Sequence, residues 1–420
     1  MSKTNFFALL DKEVATIDSV KTSKRHERVI DGFTEYPHSY ALMGGKEVKI
    51  FNSNDYLGLR HHPDLIAAEH EASETYGSGP GAVRFISGSL KVHVDLENAL
   101  AKFHNREAAM VFSSAFATNM AVLFCLIQGQ RKDTAVTPDV LVVSDALNHR
   151  SIIDGIRVAN LPKDHREVFR HLDAAHLEEI LEARKNTVKR ALVVTDGVFS
   201  MLGEYQDLKK IREVVDKYDE QYEHGVLLVV DDCHGIAAFG PTGRGTEELC
   251  TAQADVLVGT LGKGFGADGG YVVASKKVID YLRESAATYI YSNSISPGTA
   301  GAALASINLV DSKAGKKMIA HLQEMTQLFK TAMKKAGFTF AAESVHPIQP
   351  VLIGDAAKCR ALADNLFERQ FLVTNLSYPV VTAGRDELRV QLSASHTVAD
   401  VEMLVSAFKT AGTNVGVLNK

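Results

Sequence analysis

VLLVVDDCHGIA (residues 226–237) and VLVGTLGKGFGADGG (residues 256–270) decide the fold. Each opens with a run of aliphatic residues too short for a helix and rich in β-branched valine. Each then passes straight into polar or glycine-rich sequence, as a buried strand does at its end. The same pattern recurs at Ala109–Phe112, Val140–Val143 and Ala191–Val194. Amphipathic stretches such as Ala175–Arg184 and Leu208–Tyr218 lie between the runs. Alternation of this kind predicts an α/β fold, a mostly parallel sheet covered by helices on both faces.

In an open α/β sheet, ligands bind beyond the carboxyl ends of the strands. Here those ends carry Asp145 with Asn148 and His149 just beyond, Thr195-Asp196-Gly197, Asp231 with His234, and Thr260 leading to Lys263. One polar strand end is ordinary turn chemistry. Four that bring carboxylates, imidazoles, a hydroxyl and an amine to one edge predict a binding or catalytic site.

Lys263 lies in GTLGKGFG (259–266). A lysine in a glycine loop is usually a solvated side chain. A phosphate-binding P-loop needs glycine five residues before the Gly-Lys pair and Ser or Thr after it, but Leu257 and Gly264 stand there. GKGFG also lacks the dinucleotide spacing and comes late in the sheet. What remains is an amine among small residues, with room for a flat cofactor and a Schiff base. Asp231 and His234 follow a buried strand at DxxH spacing. A helix cap or a metal site are the alternatives, and no second His/Cys cluster supports metal. A carboxylate there suits a protonated pyridine nitrogen, which makes a cofactor ring an electron sink. Ser113–Asn119 leads from a strand into a helix, and its small residues offer backbone N–H groups to a phosphate. His149 and Arg389 are each more often structural or solvated than functional. Position beyond a strand end favours the first, and bidentate carboxylate binding is the functional use of the second.

The flanks differ. Residues 1–58 hold a leading amphipathic helix, a strand at Glu47–Phe51 and a turn at 52–55. Residues 59–300 form the large cofactor domain. Residues 301–420 form a smaller α+β domain, with helices at Lys316–Lys335, Ala361–Glu368 and Val398–Ala411 and a strand at Arg389–Leu392. The 420 residues carry a net charge of -5, so no basic field invites nucleic acid. Four cysteines without a CxxC pair suit a reducing cytoplasm. The longest apolar stretch, Ala121–Ile127, is too short for a membrane span.

NDYLGL (54–59), VRFISG (83–88), DALNHRSIIDG (145–155), TDGVFSM (195–201), DDCH (231–234), GTLGKGFG (259–266), YSNSISP (291–297) and LRVQLSASHT (388–397) occur in this order. Together they resemble the α-oxoamine synthases, a branch of the aminotransferase-like pyridoxal-phosphate enzymes of fold type I. The resemblance implies pyridoxal 5′-phosphate on Lys263, which also moves the substrate's α-proton. Asp231 would face the pyridinium nitrogen, His234 the phenolic oxygen, and His149 the ring face. Ser114, Ala115, Phe116 and Thr260 would contact the phosphate, with Ser292 of the partner subunit. Ser200 would lie near the cofactor, and Asn54 and Arg389 would hold the amino acid's carboxylate. It implies a C₂ homodimer with shared active sites, no resident metal, and an amino acid and an acyl-CoA as substrates. Glycine with a short acyl-CoA is the expected pair. Serine or alanine with a longer acyl chain is the alternative, with Val83, Phe85 and Ile86 as its candidate pocket. A non-catalytic binding protein on the same fold is the alternative of another class. Cys233 and Ala115 depart from the serine and cysteine usual at those places. The polar stretch Arg131–Asp139 has no counterpart in the family pattern.

Overall fold

Seven strands form the central sheet: β1 (Ala108–Phe112), β2 (Val140–Asp145), β3 (Arg166–Phe169), β4 (Arg190–Asp196), β5 (Val226–Asp231), β6 (Val256–Thr260) and β7 (Gly270–Ala274). Their order is β1-β7-β6-β5-β4-β2-β3. Strands β3, β2, β4, β5 and β6 pair in parallel, while β7 runs antiparallel to both β6 and β1. The computed structural model describes residues 3–19, 23–25, 27–37, 40–129, 133–378 and 380–418. Arg131 and Lys132 of the added polar stretch lie outside them.

The apolar runs are continuous because both faces of the sheet are covered. Ala191 and Val193 of β4 point into one core cluster, while Leu192 and Val194 point into the other. Leu228 and Val230 of β5 likewise oppose Val229. Period-two alternation therefore sends every residue into a core.

The sequence runs underlie five of the seven strands. β3 is a four-residue edge strand, REVF, with only Phe169 buried, and so carries no apolar run. β7 follows GADG (266–269), which reads as loop. Its first residue must be small: a Cβ on Gly270 would lie 2.2 Å from Ala115 N, at the start of the helix Ala115–Ile127.

Helix Arg150–Val158 packs on helix Ala115–Ile127 through Gly155, where an added Cβ would meet Leu123 Cδ1 at 3.0 Å. That close crossing places both helix N-termini beside the strand ends.

The two ends of the chain share structure. Strand Lys46–Ile50 belongs to a small sheet that also pairs in parallel with Phe371–Leu372. A second small sheet joins Thr339–Phe340, Ile348–Leu352, Glu387–Gln391 and Thr374–Leu376, all antiparallel. The C-terminal helices span Lys313–Lys335, Ala356–Glu368 and Val398–Asn414. Helix Pro297–Val310 crosses the 300/301 boundary and packs on helices Pro63–Tyr76 and Lys91–Phe103. The leading helix Lys3–Ser19 buries none of its residues in this chain. Among the described residues, no helix is long and apolar enough to cross a membrane.

Candidate active site

The strand ends do converge. Asp196 and Asp231 are the last residues of β4 and β5 and stand opposite each other in register. They open into a small cavity of about 50 Å³ with Ala115, Phe116, His149, Ser200, His234 and Lys263 on its walls. Ser151, Val198 and Cys233 complete the lining.

Asp231 is held on both oxygens. Oδ2 accepts from Asn119 Nδ2 at 2.5 Å, and Oδ1 from Cys233 N at 3.0 Å. The neighbouring Asp232 has a different task. It accepts from Thr246 N and Thr246 Oγ1 at 2.6 and 2.8 Å. It is also ringed by glycines: Cβ atoms on Gly197, Gly235 and Gly245 would all lie within 2.3 Å of its carboxylate. The glycines of the TDG and CHG segments thus make room for a buried structural acid.

His234 receives Tyr56 Oη at Nδ1, 2.8 Å away. Burial, reinforced by Lys263 and Arg389, pushes its imidazole well below the usual range, so it is neutral. Tyr56 comes from NDYLGL, and sequence reasoning gave it no role. His149 caps helix Arg150–Val158, with Nδ1 2.7 Å from Ser151 Oγ. It meets Phe116 edge to face at 6.5 Å between ring centres.

Ser114 caps helix Ala115–Ile127 by accepting from Ala117 N at 3.1 Å. The amides of Ala115 and Phe116 are left as open donors of the first turn. Thr260 is tied to the Lys263 loop. Its Oγ1 donates to Gly269 O at 3.0 Å and accepts from Gly262 N at 3.2 Å. Ser114 and Thr260 do not line the cavity, and neither does Ser292. Ser292 sits in an exposed stretch beside Tyr291, which is 78% exposed.

Asn54 and Arg389 form an adjoining cluster. Arg389 Nε donates to Ser200 O at 2.8 Å and Nη1 to Gln391 Oε1 at 2.5 Å. Gln391 Nε2 donates to Asn54 Oδ1 at 2.7 Å. Burial lowers the Arg389 guanidinium from its ordinary value. Gln391 was not singled out in the sequence. Its signal is its place two residues after Arg389, on the same strand face.

Asp196 is the other residue without an assigned role. His149 N donates to its Oδ2 at 3.2 Å, while Oδ1 is buried without a partner. Burial, then the Asp231 charge, push this carboxyl well above the usual range, with Lys263 opposing.

The arrangement fits pyridoxal phosphate. A carboxylate stands at the strand end for a ring nitrogen, and a neutral imidazole for a phenolic oxygen. An orphaned buried acid, an amine and an open helix terminus complete the cavity. Among the described residues, no group of three or more His, Cys, Asp or Glu is placed to hold a metal ion.

Comparison with known proteins gives the family. Residues 46–408 match the family described as aminotransferase class I and II. The chain is 38% identical to human mitochondrial 2-amino-3-ketobutyrate coenzyme A ligase, over 98% of this chain and 93% of that one. It is equally identical to the 8-amino-7-oxononanoate synthase of Exiguobacterium sibiricum, over 89% and 91%. A serine palmitoyltransferase structure from Sphingomonas wittichii superposes with a TM-score of 0.86 at 28% identity, covering 99% and 98%. A high-resolution structure of SPT with PLP superposes with a TM-score of 0.85, also at 28% identity, covering 99% of each chain.

Proposed function

The chain belongs to the aminotransferase class I and II family, as one of its pyridoxal-phosphate-dependent α-oxoamine synthases, and from that premise we propose that it is a glycine C-acetyltransferase. It condenses glycine with acetyl-CoA or another short acyl-CoA. A bond forms between the glycine α-carbon and the thioester carbonyl, the α-proton leaves, and CoA departs as the thiol. The product is an α-amino-β-keto acid, or an aminoketone after loss of carbon dioxide.

Bound pyridoxal phosphate supplies the electron sink that acidifies the amino acid's α-carbon. The side chains divide the remaining work. Lys263 would hold the cofactor, and its amine would take and return the amino acid's α-proton. Asp231, oriented by Asn119 and the Cys233 amide, keeps the ring nitrogen protonated. His234 donates to the phenolic oxygen, with Tyr56 fixing its ring. The open amides of Ala115 and Phe116 would hold the phosphate, and the family resemblance adds Ser114, Thr260 and Ser292 of the partner subunit. Ser200 places its carbonyl on Arg389, and Arg389 with Asn54 grips the amino acid's carboxylate. His149, on the cavity wall, would face the ring and donate to the oxygen that gains charge as the thioester is attacked.

The single observation that carries this reading is the meeting of Lys263, Asp231, His234 and His149 in one cavity beside Arg389. A second groove supports the acyl-CoA half. Its apolar lining is Val142, Ile153, Ile156 and Val168, and its polar lining is Ser144, Arg157, Lys163, Arg166 and Glu167. It runs along the helix that His149 caps. Apolar side chains beside three cations and one acid suit the nucleotide end of CoA.

The reading includes a homodimer acting in the cytoplasm. Tyr291, beside the Ser292 that the resemblance gives to a shared active site, is 78% exposed, and Phe85 and Ile86 are 66% and 68% exposed. The likeness to serine palmitoyltransferase favours a second reading, serine or alanine with a longer acyl-CoA.

A panel of acyl-CoAs crossed with glycine, alanine and serine, read by thiol release, decides between them. Release with glycine and acetyl-CoA is expected, and no release with any pair refutes the reading. Lys263→Ala should abolish release. A variant that kept full biological activity would identify a binding protein instead.

A further inference from the structure

Three buried side chains, Asp231, Asn119 and Ser151, form one hydrogen-bonded line that ends on the exposed His149. Asn119 Nδ2 reaches Asp231 Oδ2 at 2.5 Å and Ser151 Oγ at 2.9 Å. Ser151 Oγ reaches His149 Nδ1 at 2.7 Å. Asn119 and Ser151 are each 1% exposed, so water does not compete for these groups.

We propose that Asn119 and Ser151 are positioning residues that lock His149 in the neutral tautomer with its proton on Nε2, facing the cavity. The direction of the line follows from the charge at its start. An ionised carboxylate only accepts, so Asn119 must turn its NH₂ group, not its carbonyl, toward Asp231. That NH₂ carries two hydrogens, and the second goes to Ser151 Oγ. Ser151 therefore accepts from Asn119 and has one hydrogen of its own to give. It gives it to His149 Nδ1. The Ser151 backbone N–H points at the same nitrogen, 3.3 Å away. A ring nitrogen receiving two donors carries no proton, so the proton sits on Nε2.

A helix cap alone would account for the backbone contact. It would not account for a buried asparagine that spends both hydrogens joining the cap to Asp231. The line makes the acid that faces the cofactor also set the hydrogen-bonding sense of the histidine above it. This rests on the acyl-transfer reading for its use. An Nε2–H meets the thioester oxygen as a donor, whereas a bare nitrogen there would repel the growing negative charge.

Nitrogen NMR of histidine-labelled holoenzyme reads the tautomer directly, with His149→Gln assigning the signal. The expected pattern is a protonated Nε2 and a pyridine-like Nδ1. Ser151→Ala should leave exchange of the glycine α-hydrogen with heavy water within about twofold while thiol release falls about tenfold. Ser151→Thr, which keeps the hydroxyl, should recover release to within about threefold of the parent. A protonated Nδ1 in the parent overturns the proposal. So does a Ser151→Ala protein in which both steps fall together or neither falls. A parent that neither exchanges glycine nor releases CoA would instead refute the acyl-transfer reading, and the nitrogen spectrum would still decide the tautomer.

Discussion

Gln391 gives its amide N–H to Asn54 Oδ1 at 2.7 Å while its own carbonyl takes the Arg389 guanidinium. The bond fixes which way Asn54 faces. With Oδ1 occupied, its NH₂ group remains as a donor. Arg389, anchored by Nε on Ser200 O and Nη1 on Gln391, has Nη2 to spare. Two donors are thereby prepared for one carboxylate.

Replacing Gln391 with Glu, which only accepts, reverses this. Asn54 must turn its NH₂ inward, and its carbonyl then faces the substrate's carboxylate. The new charge also competes for Arg389. Steady-state kinetics of Gln391→Glu should show the amino acid KM raised about tenfold or more, the loss of one charge-assisted bond. The acyl-CoA KM should stay within about twofold, since uniform binding of the other substrate is untouched. An unchanged amino acid KM would remove Asn54 and Arg389 from carboxylate binding.

Gly270 sets how near β7 approaches the proposed phosphate turn. A Cβ there would stand 2.2 Å from Ala115 N and 2.3 Å from Ser114 C, both backbone atoms that cannot rotate aside. Gly270→Ala must displace the first turn of helix Ala115–Ile127. Titration of cofactor-free protein with pyridoxal phosphate should give a Kd raised about tenfold. Denaturant unfolding should show a loss of about 1–3 kcal/mol. Loss of stability with unaltered cofactor affinity would place the phosphate elsewhere.

Asp196 contributes a pH dependence whose sign is fixed by its burial. Its folded-state pKa lies well above the ordinary carboxylate value. Between the two values the folded protein holds a proton that the unfolded chain has released. Stability from this group is thus greatest in acid and falls as pH rises toward the folded pKa. Asn has the same shape and no charge to lose. Cofactor-free Asp196→Asn should therefore melt higher than the parent at pH 7, with the difference shrinking toward about pH 4. A variant that melts lower at pH 7 would mean the acid is ionised and paired.

The sheet body was legible because doubly covered strands write their burial as unbroken apolar runs, and the polar residues that end those runs mark the site. Lys263, Asp231, His149 and His234 could be read that way, each being the break in a pattern. β3 could not, since a four-residue edge strand buries one side chain. Asp196 was visible as a strand end, but its pKa is raised by burial and then by Asp231 across the ladder, which no local pattern encodes. Gln391 and Asn119 act through partners 337 and 112 residues away. Their roles exist only once the chain has folded. Sequence read Glu47–Phe51 as part of a separate leading segment, yet it pairs with Phe371–Leu372, because parallel pairing between chain ends leaves no mark on either run.

His171 ties three strand ends together. Its Nδ1 lies 2.9 Å from Asp145 Oδ1, and its Nε2 lies 3.4 Å from Glu204 Oε2. Its ring also meets Phe199 edge-on at 4.4 Å. Burial alone would lower this imidazole, but hydrogen bonds to the two carboxylates outweigh it and raise the pKa to about 9. The group is raised above its ordinary value, so its stabilising effect is complete below about pH 6.5 and disappears as pH climbs through the folded value. Phe199 precedes Ser200, whose carbonyl anchors Arg389, so the same titration should loosen the amino acid subsite. His171→Gln should cost about 1–2 kcal/mol at pH 7, allowing for screening by solvent. The gap from the parent should close near about pH 10, where the parent's histidine is neutral too. Melting curves and the amino acid KM across that range test this together. A gap that stayed constant with pH would show the ring acting through packing on Phe199 rather than through its charge.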